Sequence, residues 1–342
     1  MKSAAYLGQG RLETRSEPET PPAEGQIQIA VAYCGLCGTD LHIVHGDMDA
    51  RVRTPLVFGH EVSGTVAAVG AGVEGWSVGD PVTVMPLVWD GTCAACRAGH
   101  HHICQNLDFL GIDSPGGLQE RWNVPASVAV PLPAGLDLRT AALVEPVSVA
   151  VHDVRRSELT DGDRVVVLGG GPIGVLIAMV ARAAGAHVLL AEIDGTRRER
   201  AEGLGFEAVD PSSVDLEAEV GRWTDGVGAD VVFEVSGAAA AARSTTALAR
   251  VRGTIVVVAI HSAAREIDLH RVFWRELRLL GARVYERSDV ERAIELLHQG
   301  AIPATAIISA VVPLDQVGPA MDDLSSGRSM KVLVDVAGKE TA

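Results

Sequence analysis

Two groups of residues in the first third of the chain have the types and spacing of metal ligands. The first is Cys34-Gly-Leu-Cys37-Gly-Thr39-Asp40-Leu-His42, followed by Gly59-His60-Glu61. A thiolate, an imidazole and a carboxylate brought together from Cys37, His60 and Glu61 suit tetrahedral zinc with one position left open. A metal in such a site acts as a Lewis acid on an alcohol or carbonyl oxygen. We expect Cys34 to be a small core residue instead of a ligand.

The second group lies on one loop, Asp90-Gly-Thr-Cys93-Ala-Ala-Cys96-Arg-Ala-Gly-His-His-His-Ile-Cys104. Cysteines with this spacing are typical of a structural zinc site. Three thiolates need a fourth ligand, which is either Asp90 or a histidine among residues 100–102. The alternative is a reduced loop without metal, because the set lacks one cysteine.

A third stretch has the pattern of a phosphate-binding turn. Arg164-Val-Val-Val-Leu-Gly169-Gly-Gly171-Pro172-Ile173-Gly174 predicts a buried strand, a tight turn and the start of a helix. Its Gly-x-Gly-x-x-Gly spacing fits a dinucleotide site, in which the second glycine admits the pyrophosphate and the third lets the helix pack closely. Glu192 ends the next predicted strand, where a ribose-binding carboxylate is expected. The alternative is an ordinary glycine turn in an α/β core.

Composition narrows the class of protein. A length of 342 residues allows two domains, and the 47% of hydrophobic residues is usual for a globular α/β protein. The net charge of −15 argues against binding to nucleic acid or to an anionic membrane. Without a signal-peptide pattern or a membrane-length apolar run, we expect a cytoplasmic protein. The five cysteines lie close together in sequence, which in that compartment favours metal binding over disulfides.

The elements that must position these residues follow from hydrophobic periodicity. Residues 1 to about 149 indicate short strands and Gly/Pro turns, and a helical pattern begins near 140. From 164 onwards strands and helices alternate, which predicts a doubly wound parallel sheet ending with a strand at 276–284. The tail after about 287 has two predicted helices, at 289–299 and 314–325, and a closing strand from 331. We expect this tail to fold back onto the first domain.

In combination these motifs resemble the zinc-dependent medium-chain dehydrogenase/reductase family. Cys37 to His42, Gly59-His60-Glu61 and Val78-Gly-Asp80 are similar to its catalytic domain, and Gly169 to Gly174 to its cofactor domain. The resemblance implies a GroES-like β-rich catalytic domain (1–149 and 288–342) around an NAD-binding Rossmann domain (150–287). It also implies reversible oxidation of an alcohol to a carbonyl compound with NAD(H) or NADP(H).

The resemblance also implies roles for single residues. Cys37 and His60 would bind the catalytic zinc, and Glu61 would enter or leave the metal sphere. Glu145, in Leu-Val-Glu-Pro, is similar to the acid near or on the zinc in the branch of sorbitol, threonine and butanediol dehydrogenases. Thr39 and His42 resemble a proton relay from the substrate hydroxyl to solvent. The chain departs from the family at the structural site, where Asp90 stands in place of the first cysteine.

Cofactor and substrate are predicted more coarsely. The charge of Glu192 disfavours a 2′-phosphate and so favours NAD. Arg197 is either a cofactor contact or part of a solvated helix face, and the resemblance places Val258, Ala259, Ile260 and Tyr285 near the nicotinamide. The charged loop 45–53, with candidate pocket walls Phe109, Trp274 and Tyr285, favours a polyol, sugar-derived compound or hydroxy acid.

The predicted function is therefore an NAD-dependent zinc dehydrogenase of secondary alcohols or polyols. Two other hypotheses remain open: an NADPH-dependent carbonyl reductase of the same fold, and a non-catalytic NAD(H)-binding sensor. The strand at 276–284 should lie at a sheet edge, which favours pairing across a two-fold axis. We therefore expect a homo-oligomer, either a tetramer or a dimer.

Overall fold

The computed structural model describes residues 1–327 and 329–338. Its strands are β1 (Lys2–Tyr6), β2 (Leu12–Ser16), β3 (Gln26–Gly35), β4 (Leu56–Val57), β5 (Glu61–Val69), β6 (Pro81–Val84), β7 (Leu87–Val88), β8 (Asp108–Phe109), β9 (Arg121–Pro125), β10 (Ala129–Pro131), β11 (Arg164–Leu168), β12 (His187–Ala191), β13 (Glu207–Val209), β14 (Ala229–Glu234), β15 (Ala249–Val257), β16 (Arg278–Gly281), β17 (Ile308–Pro313) and β18 (Lys331–Asp335).

The α-helices are α1 (Gly38–Val44), α2 (Ala94–Arg97), α3 (Leu138–Ala141), α4 (Val144–Ser157), α5 (Pro172–Ala183), α6 (Gly195–Gly203), α7 (Leu216–Trp223), α8 (Ala239–Leu248), α9 (Leu269–Trp274), α10 (Arg287–His298), α11 (Ala304–Ile307) and α12 (Val317–Ser325). Short 3-10 turns cover His101–Ile103, Ala126–Val128 and Leu314–Gln316. No helix of the described residues is long and apolar enough to cross a membrane.

The chain forms two compact units, one of which contains both ends of the described chain. Unit 1 comprises residues 1–145 and 286–342, and unit 2 comprises residues 146–285. The division therefore falls directly after Glu145 and directly after Tyr285. The sequence-based boundaries at 149 and 288 lie within four residues of these positions.

Unit 1 is built on a largely antiparallel sheet with the strand order β10-β6-β5-β3-β18-β17, and β9 also pairs with β3. β3 is at its centre because alternate residues such as Ile27, Ile29 and Val31 are buried, as expected of a core strand. The carboxyl-terminal strand β18 pairs with β3, with Val334 opposite Cys34. The predicted return of the tail onto the first domain is confirmed.

Unit 2 is a parallel sheet with the order β13-β12-β11-β14-β15-β16, flanked by helices that follow the strands. The strands are nearly continuous runs of Val, Leu and Ile because helices cover such sheets and bury them on both faces. Val166, Val232 and Ile255, from three neighbouring strands, are completely buried in one core cluster. The order reverses beside β11, so the glycine turn after β11 lies where doubly wound sheets bind ligands. The predicted fold class is confirmed.

Local predictions near the end of unit 2 were less accurate. The strand expected at 276–284 is limited to Arg278–Gly281, because α9, which was not predicted, precedes it. Glu276 has a φ of 48°, a left-handed conformation that ends a helix. In unit 1, strand β17 was missed where the sequence indicated only a Pro-interrupted stretch. The helix predicted near 140–157 is divided into α3 and α4, and Pro146 lies in the first turn of α4.

Candidate active site and metal centres

Helix α1 positions the first cysteine of the predicted catalytic group. Cys37 is its N-cap residue, and the backbone N–H of Cys37 donates to Asp40 Oδ2 at 2.8 Å. Asp40 is completely buried, so this bond fixes the start of the helix from inside the unit. Thr39 Oγ1 lies 3.9 Å from Cys37 Sγ. The sequence folds in this way because an acid three residues after the N-cap can accept from an otherwise unpaired N–H group.

His60 reaches the same place from the turn before β5. Gly59 has a φ of +93°, and a side chain there would lie 2.7 Å from Cys34 Sγ, so glycine is needed to turn the chain tightly against Cys34. His60 is 2% exposed, and its ring makes a T-shaped contact with the ring of Phe109 at a centroid distance of 5.3 Å. Its Nδ1 faces Asp40 Oδ1 at 3.6 Å.

Cys37, His60 and Glu61 offer ligand atoms that all lie within 4.8 Å of one another. The sequence-predicted trio is therefore brought together from two segments more than twenty residues apart. Cys34 is outside this cluster and is completely buried, which agrees with the expected core role. Burial, followed by the charges of Asp40 and Glu61, raises the pKa of the Cys34 thiol well above its ordinary value.

Glu61 is bound to a lysine that the sequence gave no reason to connect with it. Lys331 Nζ, on β18, donates to Glu61 Oε1 at 2.5 Å and to Oε2 at 2.7 Å. It also donates to the carbonyl of Leu36 at 3.0 Å. Both side chains are at most 3% exposed. Both oxygens of Glu61 are therefore engaged by a cation, although the carboxylate lies beside Cys37 and His60.

Gly35 provides the space for this carboxylate. A β-carbon at that position would lie 2.0 Å from Glu61 Oε2. The pair of Glu61 and Lys331 thus fits against backbone that carries no side chain. Burial lowers the pKa of Lys331, but the neighbouring charges of Glu61, Cys37 and Glu145 outweigh it, and the net pKa is raised.

Glu145 is the last residue of unit 1 and is 6% exposed at the start of α4. It is outside the 4.8 Å cluster, but its charge acts on His60 and on Lys331. The structure therefore places it near the cluster and does not include it among the closest donors.

The residues around Cys37 and His60 fit a zinc ion by their chemistry. Within the described residues, His60 Nδ1 and Asp40 Oδ1 are buried atoms without a hydrogen-bond partner, and they face each other at 3.6 Å. Because Asp40 faces Nδ1, Nε2 is the imidazole nitrogen that remains for a metal. Burial opposes a positive charge on His60, whereas Asp40, Cys37 and Glu145 favour one, and their sum raises its pKa well above the ordinary value. A buried cation beside these donors would satisfy the same excess of negative charge.

His42 lies at the other end of α1, on the same helix face as Thr39, three residues earlier. Its Nδ1 is 2.9 Å from Asp47 Oδ2, and both side chains are about 60% exposed. Thr39 is thus next to the cysteine and His42 is open to solvent, which is the arrangement that the relay hypothesis requires.

The second cysteine group forms a compact cluster on the loop around α2. Asp90, Cys93, Cys96 and Cys104 have ligand atoms within 4.8 Å of one another, and no histidine belongs to the group. His101 instead stacks on Trp89 at 4.9 Å. Asp90 Oδ1 accepts from the N–H groups of Thr92 and Cys93, and Oδ2 accepts from Asn106 Nδ2 at 2.6 Å.

Hydrogen bonds favour the ionised forms of Asp90 and Cys93 in this loop, but not that of Cys96. The bond from Asn106 and those from the backbone of Thr92 and Cys93 lower the pKa of Asp90 far below its usual range. N–H groups of Gln105 and Cys96 lower the pKa of Cys93 to about 7, so this thiol ionises readily. Burial and its two thiol neighbours raise the pKa of Cys96 to about 12. Three sulfurs and a carboxylate at this spacing fit a tetrahedral ion.

In unit 2, the glycine turn has the geometry that the fingerprint predicts. Gly169 has a φ of +114°, and a β-carbon on Gly174 would lie 1.9 Å from the carbonyl oxygen of Gly169. Gly171 is the N-cap of α5 and Pro172 and Ile173 follow in its first turn. Nothing lies within 4 Å of a side chain built on Gly171, so the space above the helix start is open. A pyrophosphate could approach the backbone there.

Glu192 lies directly beside this turn. Its Oε2 accepts from the N–H of Gly170 at 2.6 Å and its Oε1 accepts from the N–H of Asp194 at 2.8 Å. Arg197 lies 3.9 Å from Glu192 Oε2 and is about one-third exposed. The acid predicted to bind a ribose is therefore fixed next to the glycines, and Arg197 partly offsets its charge.

The other predicted cofactor residues differ in their exposure. Val258, Ala259 and Ile260 follow β15 directly, and the first two donate backbone N–H groups to the carbonyl of Glu234. Ile260 is 93% exposed, whereas Tyr285 is completely buried. The roles of these four residues as cofactor contacts stay predictions.

Among the predicted pocket walls, Phe109 contacts His60, and Trp274 is 69% exposed on α9. The loop 45–53 uses much of its charge within unit 1. Asp47 pairs with His42, and Asp49 accepts from the Tyr6 hydroxyl. Arg51 donates two hydrogen bonds to the carboxylate of Asp113. Its charge is therefore weaker evidence for a polar substrate than the sequence suggested.

Two residues of the site were given no role by sequence reasoning. Asp40 is part of the Cys37 motif, and its position three residues into a helix start was a signal that could have been used. Lys331 had no comparable signal, because it lies 270 residues from Glu61. Only the pairing of β18 with β3 brings it there.

Comparison with known proteins identifies the family. Residues 23–134 match the alcohol dehydrogenase GroES-like domain, and residues 172–299 match the zinc-binding dehydrogenase domain. The chain is 51% identical over 336 residues, 98% of both chains, to 2-dehydro-3-deoxy-L-galactonate 5-dehydrogenase of Pseudoalteromonas atlantica. It is 32% identical to a sorbitol dehydrogenase of Halalkalibacterium halodurans, over 96% of both chains.

Among solved structures, 2R,3R-butanediol dehydrogenase from Bacillus subtilis superposes with a TM-score of 0.90 at 31% identity. The match covers 98% of this chain and 99% of the other. The predicted family, fold and class of reaction are therefore confirmed. The chain has two clusters of metal-binding side chains, a glycine turn and relatives that match along their full length. It therefore belongs to the zinc-dependent medium-chain dehydrogenase/reductase family of alcohol and polyol oxidoreductases.

Proposed function

We propose that this enzyme oxidises a secondary hydroxyl of a sugar-derived hydroxy acid or polyol to a ketone, reversibly, with NAD as hydride acceptor. The observation that carries the proposal is the buried cluster of Cys37, His60 and Glu61 with Asp40 behind the imidazole. This donor set, with Glu145 close by, suits a metal with an open position. A non-catalytic sensor would have no use for such a cluster.

In this proposal Cys37 and His60 would hold a catalytic zinc, and Glu145, outside the closest donors, would approach it as a further ligand; the zinc would supply a Lewis acid for the substrate oxygen. Asp40 keeps the ring of His60 oriented through Nδ1. Glu61 stays beside the site, restrained by Lys331. Phe109 packs against the ring of His60 in a T-shaped contact, and this apolar side chain lines that side of the imidazole.

The substrate loses a proton and a hydride in the oxidation. Thr39, whose hydroxyl lies 3.9 Å from Cys37 Sγ, would accept the hydroxyl proton and pass its own proton through the ribose hydroxyls of NAD towards His42. His42 would release the proton to solvent at the exposed end of α1, where its Nδ1 lies 2.9 Å from Asp47 Oδ2. In the reverse direction the same residues return the proton.

NAD is proposed over NADP because of Glu192. Its carboxylate lies beside the glycine turn and would accept from a ribose 2′-hydroxyl, whereas a 2′-phosphate would meet a like charge. We expect higher kcat/KM with NAD than with NADP. Glu192→Gln keeps an acceptor for Gly170 but removes the charge, and should raise kcat/KM with NADP by at least about tenfold. Equal rates of the wild type with both cofactors would favour the carbonyl-reductase hypothesis.

The relative at 51% identity points to a sugar-acid substrate, 2-dehydro-3-deoxy-L-galactonate. A panel of this compound, diols, polyols, other sugar acids and threonine, followed by NADH absorbance, tests the proposal. We expect the sugar acid to give the highest kcat/KM and Cys37→Ser to abolish turnover with loss of one bound zinc per chain. A zinc-loaded wild type that oxidises nothing in the panel would refute an enzymatic role and favour the sensor.

We propose a second, structural zinc on the loop of Cys93, Cys96 and Cys104, with Asp90 as fourth ligand. The carboxylate is the donor that groups with the sulfurs, whereas the histidines that competed with it in the sequence do not. The clustered free thiols also suit a reducing compartment, so a cytoplasmic location is part of the proposal.

We also propose that the enzyme forms a homo-oligomer, a tetramer or a dimer, through the edge of unit 2. β16 is the last strand of its sheet, and Leu279 on it is 41% exposed. The preceding helix exposes Leu269, Phe273 and Trp274 by about 70% each. An apolar patch beside an unpaired edge strand favours a symmetric interface. Light scattering at micromolar concentration should show more than one chain, and Phe273→Glu should shift the mass downward; a monomeric wild type would contradict the proposal.

A further inference from the structure

The turn from Phe109 to Asp113 packs directly on the backbone that carries His60. Gly111 within it has a φ of +90°, and a β-carbon there would collide with the carbonyl oxygen of Gly59 and lie 3.3 Å from the β-carbon of His60. At the start of the same turn, the ring of Phe109 contacts the ring of His60. The turn therefore lies against both the ring and the β-carbon of the proposed metal ligand.

Asp113 closes this turn by bonding to Phe109 in both directions. The backbone N–H of Asp113 donates to the carbonyl of Phe109 at 2.9 Å, and Asp113 Oδ2 accepts from the N–H of Phe109 at 2.9 Å. The second bond depends on the rotamer of the Asp113 side chain, because other rotamers would carry the carboxylate away from that N–H group. The direction of this carboxylate therefore helps to fix the backbone that carries the Phe109 ring.

Arg51 holds the carboxylate in that direction. Its Nε donates to Asp113 Oδ1 at 2.7 Å and its Nη2 donates to Oδ2 at 2.6 Å, so the planar guanidinium engages both oxygens at once. Oδ2 is the same oxygen that accepts from the N–H of Phe109. The side chains of Arg51 and Asp113 are 42% and 22% exposed, and ion pairs at such exposure contribute little to stability. The effect of this pair is therefore mainly geometric.

The segment that carries Arg51 is itself anchored in unit 1. The N–H groups of Arg51 and Val52 donate to the carbonyl of Met48 at 2.8 Å and 2.9 Å, and Val52 is buried. Two residues before Arg51, Asp49 accepts from the hydroxyl of Tyr6, a residue that is completely buried. The guanidinium therefore extends from a backbone that is held in place.

We propose that Arg51 is a positioning residue for the oxidation, because through Asp113 it sets where the Phe109 ring lies. The inference rests on the proposed function, in which His60 binds the catalytic zinc and Phe109 lines one side of its imidazole. A shifted ring would change the apolar surface beside the metal ligand, and a reactant misplaced by about 1 Å can react about 100-fold more slowly. Arg51 thus acts on the rate through Phe109 and not by contact with the reacting atoms.

Fluorine NMR of the full-length enzyme labelled with 4-fluorophenylalanine tests the contact without any substrate. The chain has five phenylalanines, and the resonance of Phe109 is assigned by its absence from Phe109→Leu. Arg51→Met keeps much of the side-chain length but removes both hydrogen bonds, and should shift the Phe109 resonance alone. The matched control is Arg292→Met, since Arg292 is also in unit 1, is 49% exposed and pairs with Glu295. This control should leave every fluorine resonance in place.

Steady-state kinetics on the panel compound with the highest kcat/KM test the effect on the reaction. Arg51→Met should lower kcat/KM by at least about tenfold, mainly through kcat, with a midpoint of thermal unfolding within a few degrees of the wild type. Arg51→Lys keeps the charge but not the planar fork, and should recover part of that loss. If Arg51 acts through the ring, adding Arg51→Met to Phe109→Leu should lower kcat/KM by less than about twofold.

The outcomes separate this inference from the proposed function on which it rests. Losses from Arg51→Met and Phe109→Leu that multiply in the double variant, in an active enzyme, would overturn the inference alone. A Phe109 resonance that Arg51→Met leaves unchanged would do the same. A wild type that oxidises nothing in the panel would refute the proposed function, and with it the role of Arg51 in the reaction.

Discussion

The residues around the candidate catalytic site form a chain of buried charges. Asp40 faces His60, and Glu61 is held by Lys331. All four side chains are at most 3% exposed. Removing one member of such a pair leaves a charge without compensation, which costs more than the pair contributes. These residues therefore affect both the folding of unit 1 and the position of the metal donors.

Asp40→Asn tests the orienting role. The amide keeps the shape and can still accept from the N–H of Cys37, but it no longer carries a charge towards His60 Nδ1. We expect zinc affinity and kcat/KM to fall by about 10- to 100-fold, the usual effect of losing a group that orients a metal-bound histidine. Zinc titration against a chelator and steady-state kinetics measure the two effects. An unchanged zinc affinity would show that Asp40 only caps α1.

Lys331→Met tests the restraint on Glu61. The buried carboxylate of Glu61 would lose its cation, and we expect the free energy of unfolding to fall by about 3–5 kcal/mol. Lys331→Met combined with Glu61→Gln should recover most of that loss, because no charge is left unpaired. Urea unfolding measures each variant, with Arg292→Ala as control. The exposed pair of Arg292 and Glu295 should contribute less than about 1 kcal/mol. Equal losses for both lysine variants would contradict this account.

At the scale of elements, the turn between β11 and α5 shows how two glycines of one motif differ. A methyl group on Gly174 would meet the Gly169 carbonyl at 1.9 Å, whereas one on Gly171 would meet nothing within 4 Å. Gly174 is thus required by the fold itself and Gly171 by the proposed ligand. Glycine is therefore needed at these two positions for two different physical reasons.

Gly174→Ala should lower the free energy of unfolding by about 1–3 kcal/mol, because the helix must move away from the turn. Gly171→Ala should change it by less than about 1 kcal/mol and should weaken NAD binding, because its methyl group occupies the space for the pyrophosphate. Thermal unfolding and quenching of protein fluorescence by NADH separate the two effects. Tight NADH binding by Gly171→Ala would be evidence against this site.

The loop around α2 is the second element with a testable design. Asp90→Cys would complete a set of four thiolates, and thiolate is the softer ligand for zinc. We expect this variant to keep its second zinc at chelator concentrations that remove it from the wild type, and Asp90→Ala to lose it more readily. Metal analysis after graded chelation decides between them. If Asp90→Ala retained the metal as well as the wild type, a different fourth ligand would be implied.

At the scale of the whole molecule, local patterns predicted the fold class, the glycine turn and both metal clusters. These depend on short spacings: His60 with Glu61, Cys93 with Cys96, and Gly169 with Gly174. Sequence reasoning missed α9 and β17, and it missed Lys331, whose partner is 270 residues away. Such contacts depend on strand order, and no periodicity within one segment encodes it.

Unit 2 is continuous in sequence, from Pro146 to Tyr285, and has its own core. We predict that a fragment of these residues folds alone and binds NADH, because no strand of its sheet comes from outside this range. Circular dichroism and NADH fluorescence check the prediction. A fragment of residues 1–145, made as a control, should not fold, because it lacks the strand that pairs with the far side of β3. A disordered 146–285 fragment would contradict the prediction.

The place of β18 has a consequence for biosynthesis. Residues 331–335 lie between β3 and β17 in the sheet of unit 1, yet the ribosome makes them only after the whole of unit 2. Until these residues are made, one edge of β3 stays unpaired and Glu61 lacks the charge of Lys331. Unit 2 can already be folded at that stage. Faster synthesis of this segment, or a chaperone bound to the unpaired edge of β3, should therefore raise the yield of folded enzyme.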